Sequence, residues 1–167
     1  DKIIKKSIEE KKSCEEISDF FCNIYNKEMK KLNVDRPDFQ PKATEYVESM
    51  IKKIEILEKE GSAYYSNKHL LFSIKNFPKY GILSKRNKEQ QIAGSRIEVA
   101  NYKKSPEDFV LWKPSNVNEP GWHSPWGRGR PGWHTECFAM ASDLLKTPFD
   151  IHGGGLDLKF PHHDNEI

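Results

Sequence analysis

The sequence predicts an α/β protein, and three observations support this fold class. Apolar residues recur at helical spacing in the first part of the chain, and short runs rich in aromatic and branched residues follow. The last part shows the order helix, strand, glycine turn, helix, which is typical of a doubly wound α/β sheet. We therefore predict a helical segment 1–61, a small β-containing segment 62–130 that ends in a loop, and an α/β segment 131–167.

Composition indicates an ordinary water-soluble chain. It has 167 residues, 36% hydrophobic and 31% charged, with a net charge of +2. This small charge gives no overall basic field, although RNA binding through a local surface is not excluded. The sequence shows neither an export signal nor a long apolar run, so we expect a cytoplasmic protein without a membrane partner. Its three cysteines lack a disulfide-scaffold pattern, which favours a reducing compartment.

The helical segment begins with a capping box, in which Ser13 precedes Glu16 by three residues. Cys14 and Cys22 lie in this helix without a nearby histidine or CxxC motif, and we interpret them as structural residues while leaving a metal or redox role open. Helical spacing predicts one apolar stripe on this helix: Ile17, Phe20, Phe21, Ile24 and Leu32.

A second helix is predicted with Thr44 as its N-cap and Gly61 just after its end. Beyond it, the runs AYYS, HLLFSI and FVLWK predict short strands. The polar stretch 84–108 between the last two predicts a loop with one short helix or strand.

The loop at 114–131 is rich in Pro, Gly and Trp and carries arginines. It can contact phosphates or bases, or it can be an ordered loop that is fixed by indole packing. Both interpretations remain open for its tryptophans and arginines: Trp122, Trp126, Arg128 and Arg130.

Donor atoms for a metal ion are concentrated in segment 131–167. Pro161 can begin a helix, and on that helix His162 and Glu166 stand four residues apart on one face. Together with Cys137 they offer nitrogen, oxygen and sulfur, which suits tetrahedral zinc with a further ligand from elsewhere. The spacing alone is not a zinc-finger pattern, so a structure without metal is an open alternative.

The glycines of GGGLD, residues 153–157, follow the predicted strand FDIHGGG. Gly154 and Gly155 would let a sugar or phosphate approach the backbone, and Asp157 would accept hydrogen bonds from ribose hydroxyls. The motif is neither GxGxxG nor a phosphate-binding P-loop. From the residues alone, a nucleotide site and a plain glycine turn are both possible.

Two long motifs carry a resemblance to a known family. GRPGWHTECFAM, followed at this distance by FDIHGGGLDLKFPHHDNEI, resembles the zinc-site signature of cysteinyl-tRNA synthetases, which are class I aminoacyl-tRNA synthetases. The resemblance extends through DKIIKKS, RPDFQPKAT, EKEGSAYYS, YGILS and DFVLWKP, in that order. Asp164 stands where the family usually has Glu. The resemblance implies that 131–167 belongs to the second half of a class I Rossmann-type nucleotide-binding domain, preceded by a helical and small β insertion.

What the resemblance implies about the site can be stated by residue. Cys137, His162 and Glu166 are expected to be zinc ligands, with one zinc per chain and a fourth protein ligand, a cysteine, upstream. Trp133, His134 and His152 are expected to contact the substrate. The expected nucleotide-binding residues are those already suspected from the glycine turn: Gly154, Gly155 and Asp157.

The implied activity is ATP-driven activation of cysteine, with Mg, and its transfer to tRNA(Cys) by a monomer. A pocket that measures size alone separates small side chains by only about 1 to 3 kcal/mol, whereas zinc prefers a sulfur ligand to a hydroxyl. The family's HIGH and KMSKS motifs for ATP are absent, so we expect an internal segment that is inactive alone. The alternatives are the mycothiol-pathway ligase that joins cysteine to an amino sugar, and a non-catalytic zinc or RNA-binding domain.

Overall fold

The structure is a computed structural model that describes residues 2–85 and 100–167. The chain divides into two compact units, Asp1–Gln40 and Pro41–Ile167. The predicted division into segments 1–61, 62–130 and 131–167 stays a prediction of domain organisation. Most of the predicted loop with a short helix or strand, at 84–108, falls on residues 86–99, outside the described residues.

The first unit contains helices α1 (Lys2–Glu10) and α2 (Cys14–Lys31). The predicted capping box at the start of α2 is confirmed. The Glu16 N–H donates to Ser13 Oγ at 3.1 Å, and the Ser13 N–H donates to the Glu16 carboxylate at 2.8 Å. The predicted apolar stripe is only partly buried, because Ile17 alone among its members is enclosed in the described chain, whereas the others are exposed: Phe20, Phe21, Ile24 and Leu32.

The second unit begins with a 3-10 turn at Ala43–Glu45 that leads into helix α3 (Val47–Lys59). The prediction of Thr44 as N-cap is therefore wrong. Thr44 lies inside the turn, and Tyr46 caps the helix without a side-chain hydrogen bond. The Tyr46 N–H is already bound to the Ala43 carbonyl at 3.1 Å, so the chain enters the helix through a tighter turn instead of a side-chain cap.

The end of α3 follows the prediction at Gly61, whose backbone has a positive φ of 76°. The Ser62 N–H donates to the Leu57 carbonyl at 2.9 Å, and the Gly61 N–H donates to the Glu58 carbonyl at 3.0 Å. These two bonds form a Schellman motif, which requires a residue in the left-handed conformation and so favours glycine.

Four strands form one antiparallel sheet in the order β1-β2-β3-β4. Strands β1 (Ala63–Ser66), β2 (His69–Phe72) and β3 (Phe109–Pro114) confirm the three predicted strands. The short strand β4 (Gly129–Pro131) was predicted as loop, and it pairs Pro131 with Trp112. Three residues that include Gly and Pro give no strand pattern, and proline is tolerated here because β4 is an edge strand.

Helix α3 packs on the sheet to form the core of the second unit. Helix α4 (Thr135–Leu145), which was also predicted, packs beside α3. Lys53 of α3 and Asp143 of α4 form an ion pair at 2.9 Å, and the Ser49 hydroxyl donates to the same carboxylate. The buried residues of this core come from α3 and the first three strands: Val47, Ile54, Ala63, Leu70, Leu111 and Trp112.

The loop before β4 is fixed by its own side chains. Trp126 Nε1 donates to Glu58 Oε2 at 2.9 Å, and the Arg128 guanidinium donates to the carbonyl oxygens of Ser115 at 3.1 Å and Glu119 at 2.8 Å. These contacts favour the packing interpretation for Trp126 and Arg128 over a nucleic-acid contact.

After α4 the chain is irregular up to a 3-10 turn at Leu156–Leu158, and a helical turn at Lys159–His163 then leads into the short helix α5 (Asp164–Glu166). The predicted strand FDIHGGG, 149–155, is wrong, because no described residue pairs with it. A strand needs a hydrogen-bonded neighbour, and three consecutive glycines add an entropic cost to extended order. Phe160 is extended, with φ −131° and ψ 134°, so the helical turn begins at Pro161, as predicted. Among the helices of residues 2–85 and 100–167, none combines the length and apolar character needed to cross a membrane.

Candidate metal centre

Three potential ligands from two helices meet in the second unit. His134 and Cys137 lie at the start of α4, and Glu166 lies in α5. Their donor atoms are all within 4.8 Å of one another. His134 Nδ1 is 2.7 Å from Glu166 Oε1, and the two side chains are only 8% and 9% exposed. Nitrogen, sulfur and oxygen donors in one enclosed place form a set that zinc accepts.

Close packing against β3 positions the first two donors. A Cβ on Gly132 would lie 1.7 Å from the Val110 carbonyl oxygen, so only glycine lets the chain pass here. His134 then adopts a left-handed backbone with φ 76°, and its carbonyl accepts the first hydrogen bond of α4, from the Phe138 N–H at 3.1 Å. Because Cys137 follows three residues later on the helix, its thiol and the His134 imidazole lie on the same side.

His162, the predicted third ligand, contacts His134 but is not one of the three close donors. Its Nδ1 is 2.6 Å from His134 Nε2, so the two imidazoles are hydrogen-bonded to each other. Burial, followed by the nearby His134, lowers the pKa of His162 and favours its neutral form. Cys137 and Glu166 therefore come together as the sequence suggests, while His134 and not His162 completes the set of close donors. The zinc ligand role of His162 stays a prediction.

The chemistry of the donor set fits a cation. Burial raises the pKa of the Cys137 thiol to about 12, and the negative charges of Glu166 and Glu136 act in the same direction. A bound cation would oppose both effects, because it stabilises the thiolate and offsets the carboxylate charge. Without metal the thiol is protonated at neutral pH, so zinc binding would release a proton.

Trp133 presents a flat apolar surface beside the centre. Its side chain is 70% exposed. The indole is nearly parallel to the His134 ring, with 5.2 Å between centroids, and meets the His162 ring edge-on at 4.7 Å. These three residues line an open pocket of about 500 Å³ together with Phe160. This pocket is a suitable cavity for a substrate. The predicted contact of Trp133 and His134 with the substrate stays a prediction.

His152 approaches the centre from the opposite side of Glu166. Its Nε2 is 2.8 Å from Glu166 Oε2, so the carboxylate contacts an imidazole through each oxygen. His152, Cys137 and Glu166 line a second pocket of about 320 Å³. The structure thus brings His152 into contact with the candidate metal centre, and its predicted contact with substrate stays a prediction.

The glycine turn makes close contacts within the chain. A Cβ on Gly154 would lie 2.2 Å from His163 Nε2, and one on Gly155 would lie 2.4 Å from Asp157 Oδ1. Asp157 is exposed. The contact with the His163 ring gives Gly154 a structural reason to lack a side chain, whereas the Asp157 carboxylate near Gly155 ends an exposed side chain that can move aside. The nucleotide-binding role of Gly154, Gly155 and Asp157 stays a prediction.

Comparison with known proteins gives the family. The family described as "tRNA synthetases class I (C) catalytic domain" matches residues 1–167. The chain belongs to this family. It is 51% identical over 167 residues to a protein named Cysteine--tRNA ligase from Maricaulis maris (strain MCS10), covering 100% of this chain and 36% of the relative.

Two further relatives carry the same name. A Cysteine--tRNA ligase of Xylella fastidiosa (strain Temecula1 / ATCC 700964) is 53% identical over 151 residues, which are 90% of this chain and 32% of the relative. One from Parvibaculum lavamentivorans is 52% identical over 167 residues, covering 100% of this chain and 36% of the relative. The chain spans about a third of the length of these curated relatives.

Sequence reasoning assigned His134 to the substrate and missed it as a metal donor. The signal was present, because His134 and Cys137 stand three apart where a helix begins, a spacing that places two side chains on one face. It also missed Tyr80, whose hydroxyl donates to Asn165 beside Glu166 at 2.5 Å. No local pattern links residues so far apart in the chain.

Proposed function

We propose that the chain contributes the metal centre of an enzyme that activates cysteine with ATP and transfers it to tRNA(Cys). The observation that carries the proposal is the meeting of His134, Cys137 and Glu166 in a chain about 50% identical to proteins named Cysteine--tRNA ligase. Cysteine, ATP with Mg and tRNA are the proposed substrates and partners.

Zinc is the proposed cofactor, with Cys137 and Glu166 as two of its ligands. The third ligand comes from the hydrogen-bonded pair of imidazoles, His134 and His162. One imidazole would bind the metal, and the other would orient it, since metal-bound histidines normally give their second nitrogen to a neighbouring group. When bound, zinc supplies a Lewis acid that accepts a thiolate sulfur more readily than a hydroxyl, which suits selection of cysteine over serine.

The residues around the centre would bind and orient the amino acid. The exposed indole of Trp133 forms an apolar wall of the adjacent pocket, and the His134 ring stacked on it is held by Glu166. His152 contacts the other Glu166 oxygen and would keep that carboxylate from turning away. The low exposure of His134 and Glu166 limits their contact with water, which strengthens their interactions with a charged substrate.

We also propose that 131–167 is part of a Rossmann-type nucleotide-binding domain. The match to a class I catalytic domain supports this assignment. Within it, Gly154, Gly155 and Asp157 would lie near the ATP ribose.

The two alternative functions receive less support. The mycothiol-pathway ligase would share cysteine activation, but the relatives reported above are named as tRNA ligases. A non-catalytic zinc or RNA-binding domain would not need the pocket that Trp133 lines beside the metal donors.

The test is cysteine-dependent exchange between ATP and pyrophosphate by the full chain, including any sequence that flanks these residues. We expect exchange with cysteine and not with serine, and we expect Cys137→Ser to lose zinc and cysteine activation together. Charging of tRNA(Cys) separates the proposed enzyme from the mycothiol-pathway ligase. Retained discrimination against serine in a zinc-free variant would contradict the proposed role of zinc.

A further inference from the structure

Tyr80 lies far from the candidate ligands in sequence, yet it contacts the short helix that carries one of them. Its hydroxyl donates to Asn165 Oδ1 at 2.5 Å, and Asn165 directly precedes Glu166. We propose that Tyr80 is a positioning residue for the metal centre: by holding Asn165, it fixes the direction in which α5 presents Glu166 to His134 and Cys137. This inference rests on the zinc centre of the proposed function.

Helix α5 needs such an anchor because it cannot hold its own shape. Together with the helical turn that begins at Pro161 it covers only six residues, and it has no side-chain cap. A helix this short is unstable alone, because forming its first turn orders more residues than its few hydrogen bonds compensate. Successive helical residues point about 100° apart, so restraining Asn165 restricts the rotation of its neighbour Glu166.

The aromatic ring of Tyr80 packs against the sheet. Its ring lies 6.2 Å from the Phe109 ring of β3, with 30° between the planes, and Phe109 stacks on Phe72 of β2 at 5.0 Å. The Tyr80 N–H also donates to the Phe77 carbonyl at 3.0 Å. The Tyr80 ring therefore packs against the sheet while its hydroxyl bonds Asn165. This contact restrains the position of α5 relative to the sheet.

The hydroxyl also remains a hydrogen-bond donor at neutral pH. Burial, and secondarily the negative charge of Asp164, raises the pKa of Tyr80 well above its ordinary value. A protonated phenol beside the Asn165 amide oxygen satisfies both groups, so removal of the phenol oxygen leaves Asn165 free to adopt other rotamers.

The first experiment measures zinc affinity by chelator competition, and the sulfur-to-metal absorption of bound Co²⁺, in the full chain with Tyr80→Phe. The ring and its packing remain, and only the hydroxyl is lost. We expect zinc affinity to fall roughly 10-fold, the lower end of the range for partners that orient a ligand. Tyr64→Phe is the matched control: its hydroxyl bonds Asp108 and the Lys104 N–H, away from the metal donors, so zinc affinity should not change.

A double-mutant cycle separates positioning from general packing. Asn165→Leu removes the acceptor, whereas Asn165→Asp keeps an oxygen for the hydroxyl and should retain near-native zinc affinity. We expect Tyr80→Phe, Asn165→Leu and the double variant to bind zinc about equally weakly, because all three lose the same contact. Additive losses, or equal losses in the Tyr64 and Tyr80 variants, would overturn the inference.

Failure of this inference is distinguishable from failure of the proposed function. If the unaltered full chain binds no zinc, the metal centre is wrong and both proposals fall. If the unaltered chain binds zinc and Tyr80→Phe binds it equally well, only the role of Tyr80 is contradicted.

Discussion

The sheet and the segment after α4 lie in the same unit but are held in different ways. In the sheet, β1 to β4 pair in sequence order, and Leu70 and Trp112 are fully buried. In the segment 146–163, Ile151 and Leu156 are 86% and 85% exposed. Backbone pairing and apolar burial define the sheet, whereas the second region, apart from the buried Phe160, depends on a few polar side-chain contacts near α5.

The two regions are therefore stabilised by different interactions. The sheet is stabilised by burial that is spread over many residues, so its shape tolerates the loss of any single polar contact. The position of α5 depends on Glu166 with its two histidines and on Asn165 with Tyr80. We therefore expect substitutions in the sheet to change the free energy of unfolding, and substitutions near α5 to change metal affinity.

The largest expected effect is the loss of zinc binding on Glu166→Gln. The variant keeps the size of the side chain but replaces the negative carboxylate, a strong zinc ligand, with a neutral amide, and it disturbs both histidine contacts. The loss should exceed the roughly 10- to 100-fold effect typical of groups that only orient a ligand. Chelator competition measures it, with Glu48→Gln, at an exposed carboxylate in the first turn of α3, as the matched control. Unchanged affinity in Glu166→Gln would contradict the ligand assignment.

A substitution in the sheet core should act on stability. Leu70 is 0% exposed, so Leu70→Ala removes buried methyl groups and leaves a cavity. We expect the free energy of unfolding to fall by about 2 to 5 kcal/mol, as measured by denaturant titration. The control is Val117→Ala, at a side chain that is 89% exposed, with a change under about 0.5 kcal/mol. Equal losses at both positions would mean that this sheet is not the stable core.

The paired imidazoles give the sharpest test of the site. His134→Asn and His162→Asn should both weaken zinc binding, but the ligand should show the larger loss and its partner a loss of about 10- to 100-fold. From the distances to Cys137 and Glu166, we expect His134→Asn to have the larger effect. The reverse order, measured by chelator competition, would identify His162 as the ligand, as the family resemblance implies.

A smaller effect is expected from alkaline pH. Burial, followed by the hydrogen bond to Asp108, raises the pKa of Tyr64 to about 12. The folded protein therefore holds this proton more tightly than the unfolded chain. The contribution of Tyr64 to stability is fully present below pH 10 and is lost as pH rises toward 12. Unfolding titrations at pH 9 to 12 should show a weaker pH dependence in Tyr64→Phe than in the unaltered chain. An identical slope in both proteins would contradict the shifted pKa.

Local patterns predicted most of the secondary structure. The capping box at Ser13, the glycine end of α3, three of the strands and helix α4 follow from side-chain type and spacing. The short strand β4 and the unpaired segment 149–155 were not predictable, because pairing depends on which distant strand is present. Propensity describes a residue's own backbone, while a strand also needs a neighbour.

The sequence predicted which types of residue form the candidate site, but it predicted their arrangement less well. Cys137 and Glu166 were identified by donor chemistry and by the family resemblance, and the structure brings them together. The choice between His134 and His162 depends on the left-handed backbone at His134, which sequence patterns do not reveal for a histidine. The Tyr80 contact is a long-range one and has no local signature.

The donors also lie far apart along the chain, with α4 carrying one group and α5 the other. A metal ion held by Cys137 and Glu166 would act as a reversible cross-link around a loop of about 30 residues, which contains the largely exposed residues 146–158. Closing such a loop in the unfolded chain removes entropy worth about 3 to 4 kcal/mol in the chain-entropy description of cross-links. Metal occupancy and the ordering of the glycine turn would then be one coupled equilibrium, and zinc depletion would loosen the glycine turn before it affects the sheet.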